Sequence, residues 1–190
     1  MRRDIVLCGT GGQGTVLASK VLARAAMNAG LSVKSAETIG MAQRGGSVVS
    51  HVRVGEGAAS PLVGLGRADL LIAFEPAEAL RQLPYLREGG TLVTSDRPVV
   101  PVSATVGGPS YDVEKIMATL EAQAPNLTVV DAARAERELG SAKVLNVLLL
   151  GAACRTGRLG FTTDQLRQAI HESVRERFVE LNDRALDWQG

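Results

Sequence analysis

The sequence predicts an α/β fold, and three observations carry that expectation. Apolar runs of strand length recur at residues 5–8, 31–35, 48–54, 70–74, 91–94 and 127–130, several of them separated by stretches with helical spacing. The run Leu70-Leu71-Ile72-Ala73-Phe74 is apolar throughout, as for a strand covered on both faces, whereas residues 48–54 alternate and are expected to be half exposed. The first run leads through a glycine-rich loop directly into a helix-like segment. Together these predict three layers, α/β/α, built on a Rossmann-like, mostly parallel sheet with at least one antiparallel strand.

The elements follow in order. The first helix is expected over residues 15–28, with Val16, Leu17, Val21, Leu22 and Ala25 on its buried side and Gly30 as a left-handed stop. A second helix is expected over residues 76–86, after the Phe74-Glu75-Pro76 junction, and a third from near Asp112. Residues 143–155 and 163–186 both have helical spacing, the latter capped by Thr162 or Thr163 with Asp164 in its first turn. Residues 97–110, with three prolines and two glycines, are expected to form a mobile or partner-facing loop.

Composition narrows the function. A chain of 190 residues is in the size range of one domain, spanning residues 1–190. Its 21 basic and 20 acidic side chains nearly cancel, so no global field draws it to nucleic acid or to an anionic membrane. One Trp, two Tyr and three Phe are too few for the stacking platforms that single-stranded nucleic acid uses. Cys8 and Cys154 stand far apart without a Cys-x-x-Cys partner and encode neither a disulfide framework nor a zinc or iron–sulfur site; both read as small core residues. The start Met1-Arg2-Arg3-Asp4 leads straight into a strand, and no apolar run approaches membrane-spanning length, so a cytoplasmic location is expected.

The loop Gly9-Thr10-Gly11-Gly12-Gln13-Gly14-Thr15 is the first candidate site. A strand entering a helix through glycines collects unpaired backbone N–H groups and the positive end of the helix dipole at one point, which suits a phosphate or carboxylate. Gly9, Gly11 and Gly14 fit G-x-G-x-x-G, with Glu37 placed where a ribose-binding carboxylate could stand. Gly9 and Gly14 also have the outer spacing of a Walker A loop, but Thr15 occupies the lysine position, against an ordinary ATPase or GTPase. The plainer reading is that the glycines only permit a tight turn.

Residues 37–47 form a second glycine cluster that carries a charge. Arg44 beside Gly45 and Gly46 suits an oxyanion, because a guanidinium binds two oxygens while neighbouring amides close around them. The alternative is a glycine hairpin with a solvent-facing Arg44. If the two loops converge, they make one anion pocket.

The two clusters together carry a resemblance. Gly9-Thr10-Gly11-Gly12-Gln13-Gly14, followed by Gly40-Met41-Ala42-Gln43-Arg44-Gly45-Gly46-Ser47-Val48-Val49-Ser50-His51-Val52-Arg53, is similar to the gamma-type domain of 2-oxoacid:ferredoxin oxidoreductases, nearest to the indolepyruvate type. The likeness continues through residues 68–76, Lys143-Val144-Leu145-Asn146 and Glu180-Leu181-Asn182, and so covers essentially the whole chain. It implies a small subunit that is not catalytic alone. In that family a larger partner carries thiamine diphosphate with magnesium and the iron–sulfur clusters, a 2-oxoacid is oxidatively decarboxylated, electrons pass to ferredoxin, and the acyl group goes to coenzyme A. The gamma-type domain is associated with coenzyme A binding and with assembly. Carried over by position, Gly9, Thr10, Gly11, Gly12, Gln13, Gly14, Thr15, Gln43, Arg44, Gly45, Gly46 and Ser47 would contact coenzyme A. Lys20 falls at a basic position of some relatives, but with Arg24 at i+4 it reads as a solvated helix face.

The remaining polar residues fit that picture without adding a catalytic set. No Gly-Asp-Gly segment is present, so the chain should not hold thiamine diphosphate itself. His51 shares a strand face with Val49 and Arg53 and reads as a partly exposed interface residue; His171 lies in the charged run up to Arg177 and reads as a solvated helix face. Glu75 either caps the following helix or faces the pocket, and Asn146, inside an apolar helix, is expected to tie two elements together by hydrogen bonds. Two other function classes stay open at this point: a free-standing NAD-dependent oxidoreductase using Gly9, Gly11, Gly14 and Glu37, and a regulatory α/β binding module. A homodimer of the isolated chain is also compatible with the sequence.

Overall fold

A computed structural model describes residues 2–38, 40–100 and 111–190. One mixed sheet runs in the order β2-β3-β1-β4-β5-β6. Its strands are β1 (Arg3–Thr10), β2 (Val33–Glu37), β3 (Ser47–Val54), β4 (Ala68–Ala73), β5 (Leu86–Ser95) and β6 (Leu127–Val130). β1, β4, β5 and β6 are parallel neighbours, and β3 is antiparallel to both β1 and β2. Helices cover both faces, giving the expected three layers: α1 (Thr15–Asn28), α2 (Pro76–Gln82), α3 (Val113–Gln123), α4 (Ala132–Leu139), α5 (Leu145–Arg155), α6 (Thr163–Ser173) and α7 (Val179–Asp187).

Period-2 alternation divides the core. Ile5, Leu7, Leu70, Ile72 and Val93 join a cluster under α1, α4, α5, α6 and α7, while Val6, Cys8, Leu71, Ala73 and Leu92 join a second under α2 and α3. The central strands are therefore apolar on both faces, and each fully buried Leu or Ile contributes about 1.5–3 kcal/mol of transfer free energy. Burial of Cys8 pushes its thiol pKa well up, as befits a small core residue.

Several boundaries differ from the sequence reading, each for a local reason. The strand expected at 31–35 runs over Val33–Glu37, because Leu31 belongs to the end of α1. Gly30 (φ 69°) donates to Met27 and Leu31 to Ala26, a Schellman closure in which Leu31 supplies the accompanying apolar contact. The helix expected to reach 86 ends at Gln82, since Pro84 forces a 3₁₀ turn over Leu83–Tyr85, and β5 starts at Leu86, five residues before the expected 91. The segment 163–186 is two helices, broken at the extended Val174 (φ −112°, ψ 159°), so that Asp183 folds back onto His171 (2.9 Å) and Arg167 (3.2 Å). The 143–155 helix begins with a 3₁₀ turn at Ala142–Val144. α4 went unread because its sequence is mostly charged, although Asp131 at its N-cap and left-handed Gly140 at its C-cap mark both ends. The helix expected from near Asp112 starts there with Asp112 as its cap, and of Thr162 and Thr163 it is Thr162 that caps its helix, in a capping box with Gln165. Of the expected 97–110 loop, residues 101–110 lie outside the described residues.

The largest correction concerns β3. The expected half-exposed strand is an interior strand between β1 and β2. Its polar side chains are held rather than solvated. Arg53 makes a bidentate pair with Asp4 (2.8 and 3.1 Å), and also donates to the carbonyls of Ser60 and Leu62. His51 is 8% exposed, not an interface residue of this chain's surface: its Nδ1 accepts the Val63 N–H (3.3 Å) and its ring meets Tyr85 edge-on.

Two expected outcomes follow from these buried charges. Burial alone would raise the Asp4 pKa, but Arg53 and Arg2 hold its carboxyl below the usual range. Its contribution is therefore full above the unfolded value of about 3.9 and is lost as pH falls through the folded value. In urea titrations Asp4→Asn should remove on the order of 3 kcal/mol near neutral pH and flatten the acid limb below pH ~4. Burial lowers the His51 pKa, so neutral His51 stabilises the fold fully above the unfolded value of about 6.5, less as pH falls below it. His51→Phe should abolish the pH dependence in that window; an unchanged slope would contradict it.

Candidate functional site

The two glycine clusters meet at the carboxyl end of β1. Gly11 donates its N–H to the Gly46 carbonyl (2.8 Å), and its own carbonyl accepts from Gly45 (3.2 Å). Only glycine allows this approach at position 11, where a Cβ would stand 2.3 Å from the Ala42 carbonyl oxygen. Gln13 secures the loop from the other side: its Oε1 accepts the Thr10 N–H (2.7 Å) and its Nε2 donates to the Phe74 carbonyl just past β4 (3.0 Å). A Cβ at Gly9 would meet both Gln13 Oε1 and Phe74. The glycines thus serve close packing as well as the turn.

These contacts determine which groups remain for a ligand. Gly14 is the left-handed N-cap of α1 (φ 90°), without a side-chain cap and without an acid in the first turn. The N–H groups of Gly12, Gly14, Thr15, Val16 and Leu17 make no hydrogen bond among the described residues. They border a cavity of about 270 Å³ lined by Gly11, Gly12, Gly14, Thr15, Val16, Gln43 and Val48. Unpaired amides and an uncapped dipole end make this spot electropositive, a chemistry that suits an anion.

The second loop contributes differently from the expectation that its amides close around an oxyanion. The N–H groups of Gln43, Arg44, Gly45 and Gly46 are bonded to Gly40, Met41, Gly11 and Ala42. Gln43 Nε2 donates to the Thr38 carbonyl (3.0 Å), and Ser47 Oγ donates to Glu78 (2.5 Å). Of the polar side chains in this loop, Arg44 alone makes neither a side-chain hydrogen bond nor an ion pair among the described residues. The loop is therefore a clasp that presents one guanidinium.

Behind the clasp lies a second chamber of about 370 Å³, lined by Thr10, Gly45, Gly46, Ser47, Glu75, Glu78, Arg81, Tyr111 and neighbouring apolar residues. Glu75 does both things weighed for it: one oxygen caps α2 through the Glu78 N–H (2.9 Å), and the other faces the chamber, bonded to the Tyr111 hydroxyl. Burial, with the Glu75 carboxylate beside it, raises the Tyr111 pKa. Glu78 (3% exposed) was missed in the sequence, although its place three residues after a helix-capping Glu75 is a readable signal. It accepts from Ser47 and pairs with Arg81, linking the clasp to α2.

Other candidates lie elsewhere. Glu37 accepts from Ser19 (2.5 Å) at the end of β2, and β3 separates β2 from β1. Two strand spacings, about 9.5 Å, thus stand between Glu37 and the loop where a dinucleotide-binding carboxylate would be adjacent. Lys20 is exposed on α1, and Arg24 pairs with Glu172 (3.7 Å). Asn146 is 4% exposed and packs on Gly14, its Nδ2 lying 3.0 Å from where a Cβ would stand. The expected tie between elements is not found: its Oδ1 has no partner among the described residues. Asn182 bonds within its own segment, to the Phe178 carbonyl (2.7 Å). Among the described residues no group of three or more His, Cys, Asp or Glu is placed to hold a metal ion, and no helix is long and apolar enough to cross a membrane.

The clasp yields a paired test. Gly11→Ala drives a methyl into the opposite backbone and should lower stability by about 1–3 kcal/mol while opening the loops. Gly12 has positive φ (105°) but open space, so Gly12→Ala should show only the backbone penalty of about 1–2 kcal/mol with the clasp intact. Melting and amide exchange at Gly45 separate the two; intact protection at Gly45 in Gly11→Ala would contradict the clasp.

Comparison with known proteins agrees with this architecture. The family model for pyruvate ferredoxin/flavodoxin oxidoreductase matches residues 4–188. The indolepyruvate oxidoreductase subunit IorB of Archaeoglobus fulgidus is 41% identical over 187 residues, covering 98% of this chain and 92% of that one. The protein of the same name from Thermococcus kodakarensis is 36% identical over 188 residues, covering 97% and 92%. Among solved structures, the gamma subunit of the keto/oxoacid ferredoxin oxidoreductase from Geobacter sulfurreducens superposes with a TM-score of 0.70 at 25% identity, covering 98% of this chain and 93% of that one. The chain belongs to the pyruvate ferredoxin/flavodoxin oxidoreductase family.

Proposed function

We propose that this chain is the small subunit of an indolepyruvate-type 2-oxoacid:ferredoxin oxidoreductase and that its glycine-loop site holds the anionic part of coenzyme A. The observation that carries the reading is the set of unbonded N–H groups of Gly12, Gly14, Thr15, Val16 and Leu17 at an uncapped helix start, with Arg44, which has no partner among the described residues, on the loop clasped to it. The family assignment and the kinship with indolepyruvate oxidoreductase subunits support the reaction class. Thiamine diphosphate with magnesium, and the iron–sulfur clusters that pass electrons to ferredoxin, belong in this reading to a larger partner. The chain's own residues do not fit the thiamine cofactor, since the Gly-Asp-Gly segment that holds its diphosphate is absent.

The contribution of this chain is positional. Coenzyme A, when bound, supplies the thiol that takes the acyl group. The amides of the α1 start and the Arg44 guanidinium would fix its phosphates, and the clasp keeps those amides pointing outward without reorganisation on binding.

Steady-state assays of the assembled complex test the reading. A charge-assisted contact is worth about 1.5–3 kcal/mol, so Arg44→Ala should raise the coenzyme A concentration for half-maximal rate roughly tenfold or more. Decarboxylation measured without coenzyme A should be unchanged. Normal coenzyme A dependence in the variant would remove Arg44 from the site.

A further inference from the structure

On the opposite flank from β2, the sheet ends at β6, whose outer edge pairs with no strand among the described residues. Leu92 donates to the Asn126 carbonyl (3.0 Å) and Asp96 to the Val130 carbonyl (3.2 Å), so residues 126, 128 and 130 turn their backbone groups inward to β5. By strand alternation, Leu127 and Val129 turn theirs outward, and neither has a hydrogen bond there among the described residues. The Val129 side chain is 42% exposed. Beside this edge runs a groove of about 490 Å³ between β6, the end of α5 and the residues after α7.

The groove holds a cation that makes no ion pair among the described residues. Arg155, in the last turn of α5, lines it and donates to the Leu186 carbonyl (3.2 Å) but makes no ion pair among the described residues. Burial against that segment lowers its pKa, in contrast to Arg167, which Asp187 and Asp183 hold in place. The acid of the groove, Asp131, already caps α4 through the Arg134 N–H (2.7 Å). The hydroxyls of Thr128 and Thr156 complete a polar wall beside an unpaired strand edge.

We infer that the β6 edge and its groove are the docking site for an extended, acidic segment of the larger subunit. That segment would add a seventh strand against Leu127 and Val129 and place a carboxylate on Arg155. The open N–H and C=O groups supply main-chain affinity, and the unneutralised guanidinium supplies the charge complementarity that selects an acidic strand. An edge left open beside a cation lacking a carboxylate fits a partner strand better than it fits solvent. The inference rests on the reading of this chain as a subunit of a larger oxidoreductase.

Co-expression of the full-length chain with its larger subunit, followed by equilibrium binding of the separated subunits, tests it. Val129→Pro removes only an outward N–H and leaves the β5 ladder complete, whereas Thr128→Pro removes an inward bond and serves as the destabilised control. Val129→Pro and Arg155→Glu are each expected to weaken assembly at least tenfold, with Arg155→Glu melting as the parent does. If Val129→Pro misfolds, Arg155→Glu decides alone. Parent-like assembly by Arg155→Glu, or by a folded Val129→Pro, overturns the docking site while leaving the subunit reading intact. A parent chain that does not bind the larger subunit overturns both. Variants that shift only self-association of this chain, by sedimentation, would assign the edge to a second copy and overturn the inference.

Discussion

The site depends on one contact, the pair of backbone hydrogen bonds by which Gly11 and the Gly45-Gly46 turn hold each other at 2.8 and 3.2 Å. This contact requires glycine at position 11 on steric grounds and brings two loops, separated in sequence by α1 and β2, to one end of the sheet. It also determines which polar groups are left over. Amides used in the clasp cannot bind a ligand, so the unbonded set is confined to the start of α1, and the second loop contributes a side chain rather than a cradle.

The clasp in turn depends on the topology of the sheet. Because β3 runs antiparallel beside β1, with Ser47 opposite Thr10, the residues preceding β3 arrive at the same end as the loop that leaves β1. A purely parallel arrangement would send that segment to the far end. The insertion of β3 also moves β2 one place outward, which puts Glu37 beyond the reach of a ligand on the glycine loop and gives it to Ser19. The fold thus resembles a dinucleotide-binding sheet in its first strand and helix while lacking the neighbouring strand on which ribose recognition rests. Gln13 and the Ser47–Glu78 bond extend the same clamp to β4 and α2, so the loops rest on rigid elements on either side.

Much of this was legible in the chain. The doubly apolar run at residues 70–74 and the strand–glycine–helix junction gave the layers and the mostly parallel sheet, because burial on both faces leaves a plain hydrophobic signature. The two glycine clusters stood out as loops of special backbone, with their convergence left as a condition that the Gly11–Gly46 contact meets. What was not legible depends on tertiary partners. The alternation of β3 suggested solvent, but His51 and Arg53 face backbone carbonyls, an amide and Asp4 contributed from other segments. Leu31 looked like the start of a strand and is the apolar end of a helix cap. Asn146 looked like a hydrogen-bonded tie and instead packs on Gly14 with an unpaired Oδ1, a pairing between distant residues that no local pattern encodes. The charged sequence of α4 hid a helix whose caps alone announced it.

The most direct measurement is peptide-resolved hydrogen exchange on the assembled complex with and without coenzyme A. Residues 11–17, where every amide but those of Gly11 and Gln13 is unbonded among the described residues, should exchange more slowly when coenzyme A is present, while residues 43–46, already bonded within the clasp, should change little. Unchanged exchange over residues 11–17 at saturating coenzyme A, or protection appearing at another surface of this chain, would contradict an anion site at the start of α1.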